Sequence, residues 1–191
     1  MRVMKKRFAI TFILSLIIVF NSCNSSLTGP ALTSDQINLL KNPSFELNGK
    51  PTLEGWETTI ASPGFSNDTP NKLSNWSVYI RTFNPFSLST IPLTELYQKV
   101  KLQSGAYIYT FSCWVKMDSA ENGRADLIEY KSDNSRKMKS VKISNAFWAN
   151  YSVTDTISSN AIDSVQVNIF GGYETGSNSK MLVNFCSLTA R

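Results

Sequence analysis

The chain has 191 residues, 19 of them basic and 14 acidic, with 42% hydrophobic and 12% aromatic residues. It contains no histidine, which excludes a Ser-His-Asp or Cys-His catalytic arrangement and any His-ligated zinc, copper or iron site. Arg2, Lys5, Lys6 and Arg7 account for most of the formal charge of +5, so the rest of the chain is nearly balanced, offers no Lys/Arg stripe for a run of phosphates, and is not expected to bind nucleic acid.

Those four cations precede an apolar run over residues 8–20. The run is too short to span a bilayer comfortably and has the length of a signal-peptide core, so residues 1–22 read as an export signal. Phe20-Asn21-Ser22-Cys23 resembles a bacterial lipoprotein box. The resemblance implies cleavage before Cys23, lipidation of its thiol, and a chain held to the membrane of the cell envelope (outer membrane, surface or periplasmic face) by that lipid. Residues 23–36 are polar and broken by Gly29-Pro30, the signature of a flexible tether. Residues 37–191 then form one domain, long enough to bury a core without disulfides.

From residue 76 onward the apolar period is two. Trp76, Val78 and Ile80 alternate with Ser77, Tyr79 and Arg81; Tyr107, Tyr109, Phe111, Cys113 and Val115 alternate with Ile108, Thr110, Ser112, Trp114 and Lys116; Val165, Val167 and Ile169 alternate with Ser164, Gln166 and Asn168. Such alternation predicts half-buried strands. Turn-rich stretches such as Asn48-Gly49-Lys50-Pro51, Ser62-Pro63-Gly64 and Gly171-Gly172 lie between them, with no sustained helical period. The expectation is an all-β, antiparallel jelly-roll β-sandwich.

Five motifs occur in a fixed order: an Asn-x-x-Phe-Glu segment ending at Phe45-Glu46 and followed by Gly55-Trp56; Gln98-Lys99-Val100; Gly105 with Tyr107, Ser112, Val115 and Lys116; Trp148 with Tyr151-Ser152; and Asn184 with Ser187-Leu188. In this order they resemble the carbohydrate-binding modules of families 4, 9, 16 and 22, over residues 38–189. The resemblance implies a jelly roll whose first strand holds the Phe-Glu segment, a glycan as partner, and no catalysis. It also implies a structural calcium ion held by the first-strand carboxylate, here Glu46, and by a closing-motif residue. That residue is Asn184, where the family has Asp, and fewer charged ligands mean weaker calcium binding. Alternatively, Glu46 caps or pairs at the sandwich edge.

Sugar binding needs an aromatic face for the pyranose ring and polar groups for its hydroxyls. Trp114 sits on the otherwise polar parity of its strand and is the candidate platform, unless that face is covered and the ring is ordinary packing. Tyr79, Arg81, Gln166 and Asn168 share the outward parity of their strands and would supply polar contacts if these strands line one concave sheet. Trp56, Trp76 and Trp148 are expected in the core. Cys113 and Cys186 fall on core parity and read as two buried free thiols, with a bridge between them as the alternative, since export would expose them to an oxidising compartment and two Cα atoms within about 7 Å could be joined. Asp155 takes an inward position and needs a partner. A glycan-binding envelope lipoprotein is the leading reading, with a structural or protein-interaction β-sandwich as the alternative.

Overall fold

The computed structural model describes residues 37–59, 63–70, 74–81, 95–102, 104–159, 163–174 and 180–191, the backbone alone at positions 173 and 174. The proposed signal peptide, Cys23 and tether lie outside the described residues. Among the described residues all regular structure is strand: β1 Glu46–Leu47, β2 Lys50–Pro51, β3 Glu57–Thr58, β4 Gly64–Ser66, β5 Ser77–Arg81, β6 Glu95–Lys101, β7 Gly105–Asp118, β8 Ala120–Glu121, β9 Gly123–Tyr130, β10 Arg136–Ile143, β11 Ala149–Ser159, β12 Ser164–Phe170, β13 Tyr173–Glu174 and β14 Lys180–Ala190.

Ten of these strands make two five-stranded antiparallel sheets, in the orders β10-β9-β12-β6-β3 and β11-β7-β14-β5-β4. Apart from the β9-β10 hairpin, successive long strands pass from one sheet to the other, which is the wiring of the expected jelly roll. Inward residues of the two sheets form one core. Leu96, Leu127, Val165, Val167 and Ile169 face Ile80, Phe111, Val115, Met181, Val183 and Leu188, and burial of this kind yields roughly 1.5–3 kcal/mol per large apolar side chain.

The opening segment is not the first strand that the family resemblance implies. Residues 40–44 bend and turn, and strand begins only at Glu46, because Asn42 and Phe45 take positive φ values of 45° and 58°. Side chains hold this path in place of a ladder. Asn38 Oδ1 accepts from the Leu40 and Leu188 amides, and its Nδ2 donates to the Cys186 carbonyl. Gln98 clasps Lys41 through both backbone groups. The turn drops Phe45 into the core against Trp56, ring centroids 5.1 Å apart, so Trp56 is a core residue as expected.

Cys113 and Cys186 face each other across the β7-β14 pairing, both buried and both free thiols. Burial pushes the Cys186 thiol well above its ordinary value. Asp155 has the partners its inward position demands: Lys137 Nζ at 2.8 Å and Lys139 Nζ at 3.0 Å, which reach across from β10 and tie the open edge of one sheet to that of the other.

Candidate functional site

The outer faces of the two sheets differ, and the candidate residues divide between them. Trp114, Tyr79 and Arg81 lie on the outer face of the sheet containing β7, as their parity required, but that face is covered. Trp114 is only 3% exposed, so the expected open aromatic platform is not there. The chain after β4 is fastened to the same face. Asp68 receives hydrogen bonds from Lys116 Nζ at 2.6 Å and Trp148 Nε1 at 2.8 Å, and its backbone carbonyl takes the Ser77 hydroxyl. Lys116 lies two residues from Trp114 on β7, and Trp148 immediately precedes β11, whose Asn150 pairs with Trp114, so Asp68 is tied to the surroundings of the ring. The bond from Lys116 holds the Asp68 carboxyl below its usual range. Tyr79 is engaged as well: its ring lies over Gly64 of β4, where a Cβ would sit 1.8 Å from Cζ, and Lys180 Nζ lies 5.6 Å from its centroid. Arg81 is exposed at the end of β5. Trp148 and Trp76 are half-buried and outside the core cluster. Each spends its indole N–H on the surface, Trp148 on Asp68 and Trp76 on the Gly49 carbonyl, which corrects their core assignment.

Gln166 and Asn168 lie on the opposite outer face, that of β10-β9-β12-β6-β3, and line a groove of about 380 Å³. Register arranges the outer face on which the groove lies as four rows across β6, β12, β9 and β10. They read Lys101-Ser164-Tyr130-Arg136, then Lys99-Gln166-Ile128-Met138, then Tyr97-Asn168-Asp126-Ser140, then Glu95-Phe170-Arg124-Lys142. The structure thus brings Gln166 and Asn168 together, and separates them from Trp114, Tyr79 and Arg81 by the whole core.

The third row is the most ordered. Asp126 is 0% exposed; its Oδ1 accepts from Arg124 Nε at 2.6 Å and its Oδ2 from Asn168 Nδ2 at 3.3 Å. A buried carboxylate needs such partners, because leaving it unpaired costs several kcal/mol. Asn168 Oδ1 is buried without a hydrogen-bond partner, an acceptor on the groove floor. Tyr97 donates its hydroxyl to Glu57 Oε2 at 3.0 Å, which raises its pKa. Apolar surface comes from Met138, Ile128 and Tyr130, and Lys99 Nζ stands 4.5 Å from the Tyr130 centroid. Tyr130, Met138, Arg124, Asp126 and Arg136 were not picked out from the sequence. The signal was the one that pointed to Trp114, apolar residues on an outward parity, here Ile128 and Tyr130 following Arg124 and Asp126.

The calcium candidates converge on residues 74–76. Glu46 Oε2 accepts from the Asn75 amide at 3.0 Å, while Asn184, 0% exposed, donates through Nδ2 to Ser74 Oγ at 2.5 Å and the Trp76 carbonyl at 2.6 Å. Calcium takes six to eight oxygen ligands. Here an amide N–H₂ group, which repels a cation, faces the two oxygens that such an ion would need, and no cluster of three acidic or sulfur ligands occurs among the described residues. As placed, these residues do not fit calcium; Asn184 joins the loop to β14 by hydrogen bonds, although its own Oδ1 is buried and unpartnered.

No protein-family model and no curated protein sequence matches the chain. Solved structures do. The enzymatically active domain of tailspike protein 4 from bacteriophage CBA120 superposes with a TM-score of 0.60 at 13% identity over 81% of this chain, which spans only 22% of that one. A family 16 carbohydrate-binding module gives 0.58 at 15% identity, covering 79% of this chain and 99% of the module. A family 61 module solved with β-1,4-galactotriose gives 0.53 at 17% identity, covering 80% and 97%. The chain is therefore a β-sandwich of the carbohydrate-binding-module type, a likeness that at these identities is one of fold.

Proposed function

We propose that the protein binds a glycan, without cleaving it, in the groove across β6, β12, β9 and β10, and that a lipid on Cys23 holds it in the cell envelope. The observation that carries the reading is the groove itself: an open volume of about 380 Å³ whose floor mixes apolar patches with fixed polar groups, among them the unpartnered Asn168 Oδ1. Sugar rings need both kinds of surface. The likeness to modules of full matching length, one of them solved with a galacto-oligosaccharide, supports the same reading. Binding without cleavage is favoured because both oxygens of Asp126 are already engaged, by Arg124 and Asn168, which leaves it poorly placed to exchange protons with a substrate.

A glycan-array screen followed by calorimetry on the hits tests this. Tyr130→Ala is expected to weaken binding about tenfold, or ~1.4 kcal/mol, without moving the melting temperature appreciably. Absence of any glycan hit, or hits indifferent to Tyr130→Ala, would shift the reading to a structural or protein-interaction module. Anchoring is tested apart: Cys23→Ser should leave the membrane fraction or accumulate as precursor, and equal membrane association of both forms would reject the lipid.

A further inference from the structure

The charges in the groove are sorted by row. The two rows at the Tyr130 end carry Lys101, Arg136 and Lys99 and no acid, whereas all the acids of the floor, Glu95 and Asp126 with Glu57 beside Tyr97, belong to the other two rows. Of the cations in those two rows, Arg124 is spent on Asp126, and Lys142 shares its row with Glu95. Lys99, Lys101 and Arg136 are exposed, and among the described residues none has an acidic partner within salt-bridge distance. Three unneutralised cations around one aromatic ring, at one end of a groove, form a field that attracts an anion and orients an elongated ligand.

From this sorting we infer that the glycan is acidic, and that a sugar carboxylate or sulfate lies against Tyr130 between Arg136 and the Lys99-Lys101 pair. The inference rests on the glycan-binding reading above. Arg136 supplies a planar fork matched to a carboxylate or sulfate. The Lys99 ammonium, now over the Tyr130 ring at 4.5 Å, is held there by a cation–π contact of about 0.5–1 kcal/mol at an exposed site. An anionic sugar exceeds that attraction and draws the ammonium aside, freeing the ring for the pyranose. At the far end Glu95 and Glu57 outnumber Lys142, the one cation there not spent on Asp126, which disfavours a second negative group, so the acidic residue occupies a terminal or spaced position in the chain rather than every position.

The test is binding of the protein to immobilised uronate-bearing, sulfated and neutral polysaccharides, with the wild type, Arg136→Gln, Lys99→Gln and Tyr130→Ala. The expected result is a preference for acidic over neutral polymers of at least about tenfold, lost in Arg136→Gln and Lys99→Gln and much reduced at high salt. The uronate and sulfate arms identify which anion is bound. Thermal melts should be unchanged, since both side chains are exposed. Neutral polymers bound as well as acidic ones, with Tyr130→Ala still deleterious, would overturn the inference and leave the glycan reading standing. Acidic binding indifferent to both charge variants would also overturn it. Binding of no polymer at all would remove both.

Discussion

Trp114 and Tyr130 should respond to truncation in opposite ways. Trp114 is 3% exposed, so Trp114→Ala removes nearly the full apolar area of an aromatic ring. That area is about 150–250 Å², which at roughly 25 cal/mol per Å² corresponds to about 4–6 kcal/mol as an upper bound. Measured Trp-to-Ala costs run at about 3–5 kcal/mol. Because the ring lies on the outer face of its sheet rather than between the two sheets, the face has room to settle into the gap, and a loss near ~3 kcal/mol is expected. For a domain of this size that lowers the melting point by roughly 6–12 °C. Glycan affinity at temperatures where the variant remains folded should be unchanged. Thermal melts paired with titration calorimetry, with Tyr130→Ala run alongside, make the comparison. A Trp114→Ala protein that melts within about 2 °C of wild type, a shift worth at most ~1 kcal/mol, or one that stays folded and loses its ligand, would refute the view that this face is closed.

Two further predictions concern buried polar groups. Burial acts to raise the Asp155 pKa, but hydrogen bonds from Lys137 and Lys139 outweigh it and hold the carboxyl below its ordinary value; a depressed folded pKa gives stability that is present above about pH 4 and lost as pH falls through the folded value. Asp155→Asn should therefore cost about 2 kcal/mol at neutral pH and flatten the acid limb of a melting-temperature profile, and an unaltered profile would count against the pairing. For Asn184, the wild type should melt at the same temperature in chelator and in millimolar calcium. Asn184→Asp, which sets a buried carboxylate against the Trp76 carbonyl, should be destabilised in chelator and recover roughly 1.4 kcal/mol in millimolar calcium if the new site binds at about 10⁻⁴ M. A calcium-dependent rise in the wild type would show that its amide presents oxygen to an ion.

The alternation in residues 76–80, 107–115 and 164–169 was enough to place those strands and their core faces, since period two records which side of a strand is dry. It carries no record of which sheet a strand joins. Trp114 and Asn168 have the same outward parity, yet β7 and β12 are in different sheets and the two side chains leave the molecule in opposite directions. Nor could parity reveal that an outward face is covered. Asp68 is fastened to that face by side-chain bonds to Lys116 and Trp148, 48 and 80 positions away in sequence. The opening segment failed as a strand for a related reason: beside two backbone bonds to β14, from the Leu39 amide and to the Pro43 carbonyl, it is held by the Asn38 and Gln98 side chains, and no periodicity marks them.

The pairing of Lys137 and Lys139 with Asp155 has a consequence beyond holding two sheets together. β10 ends its sheet, and a bare strand edge is a template on which another chain can add. Both lysines point inward from that edge. A copy of the protein docking there would extend the core face over them and would have to bury two ammonium groups that still require Asp155. If the chain is anchored as proposed, its copies would meet at high effective concentration, and there the inward lysines would disfavour edge-to-edge addition and leave each groove open to solvent.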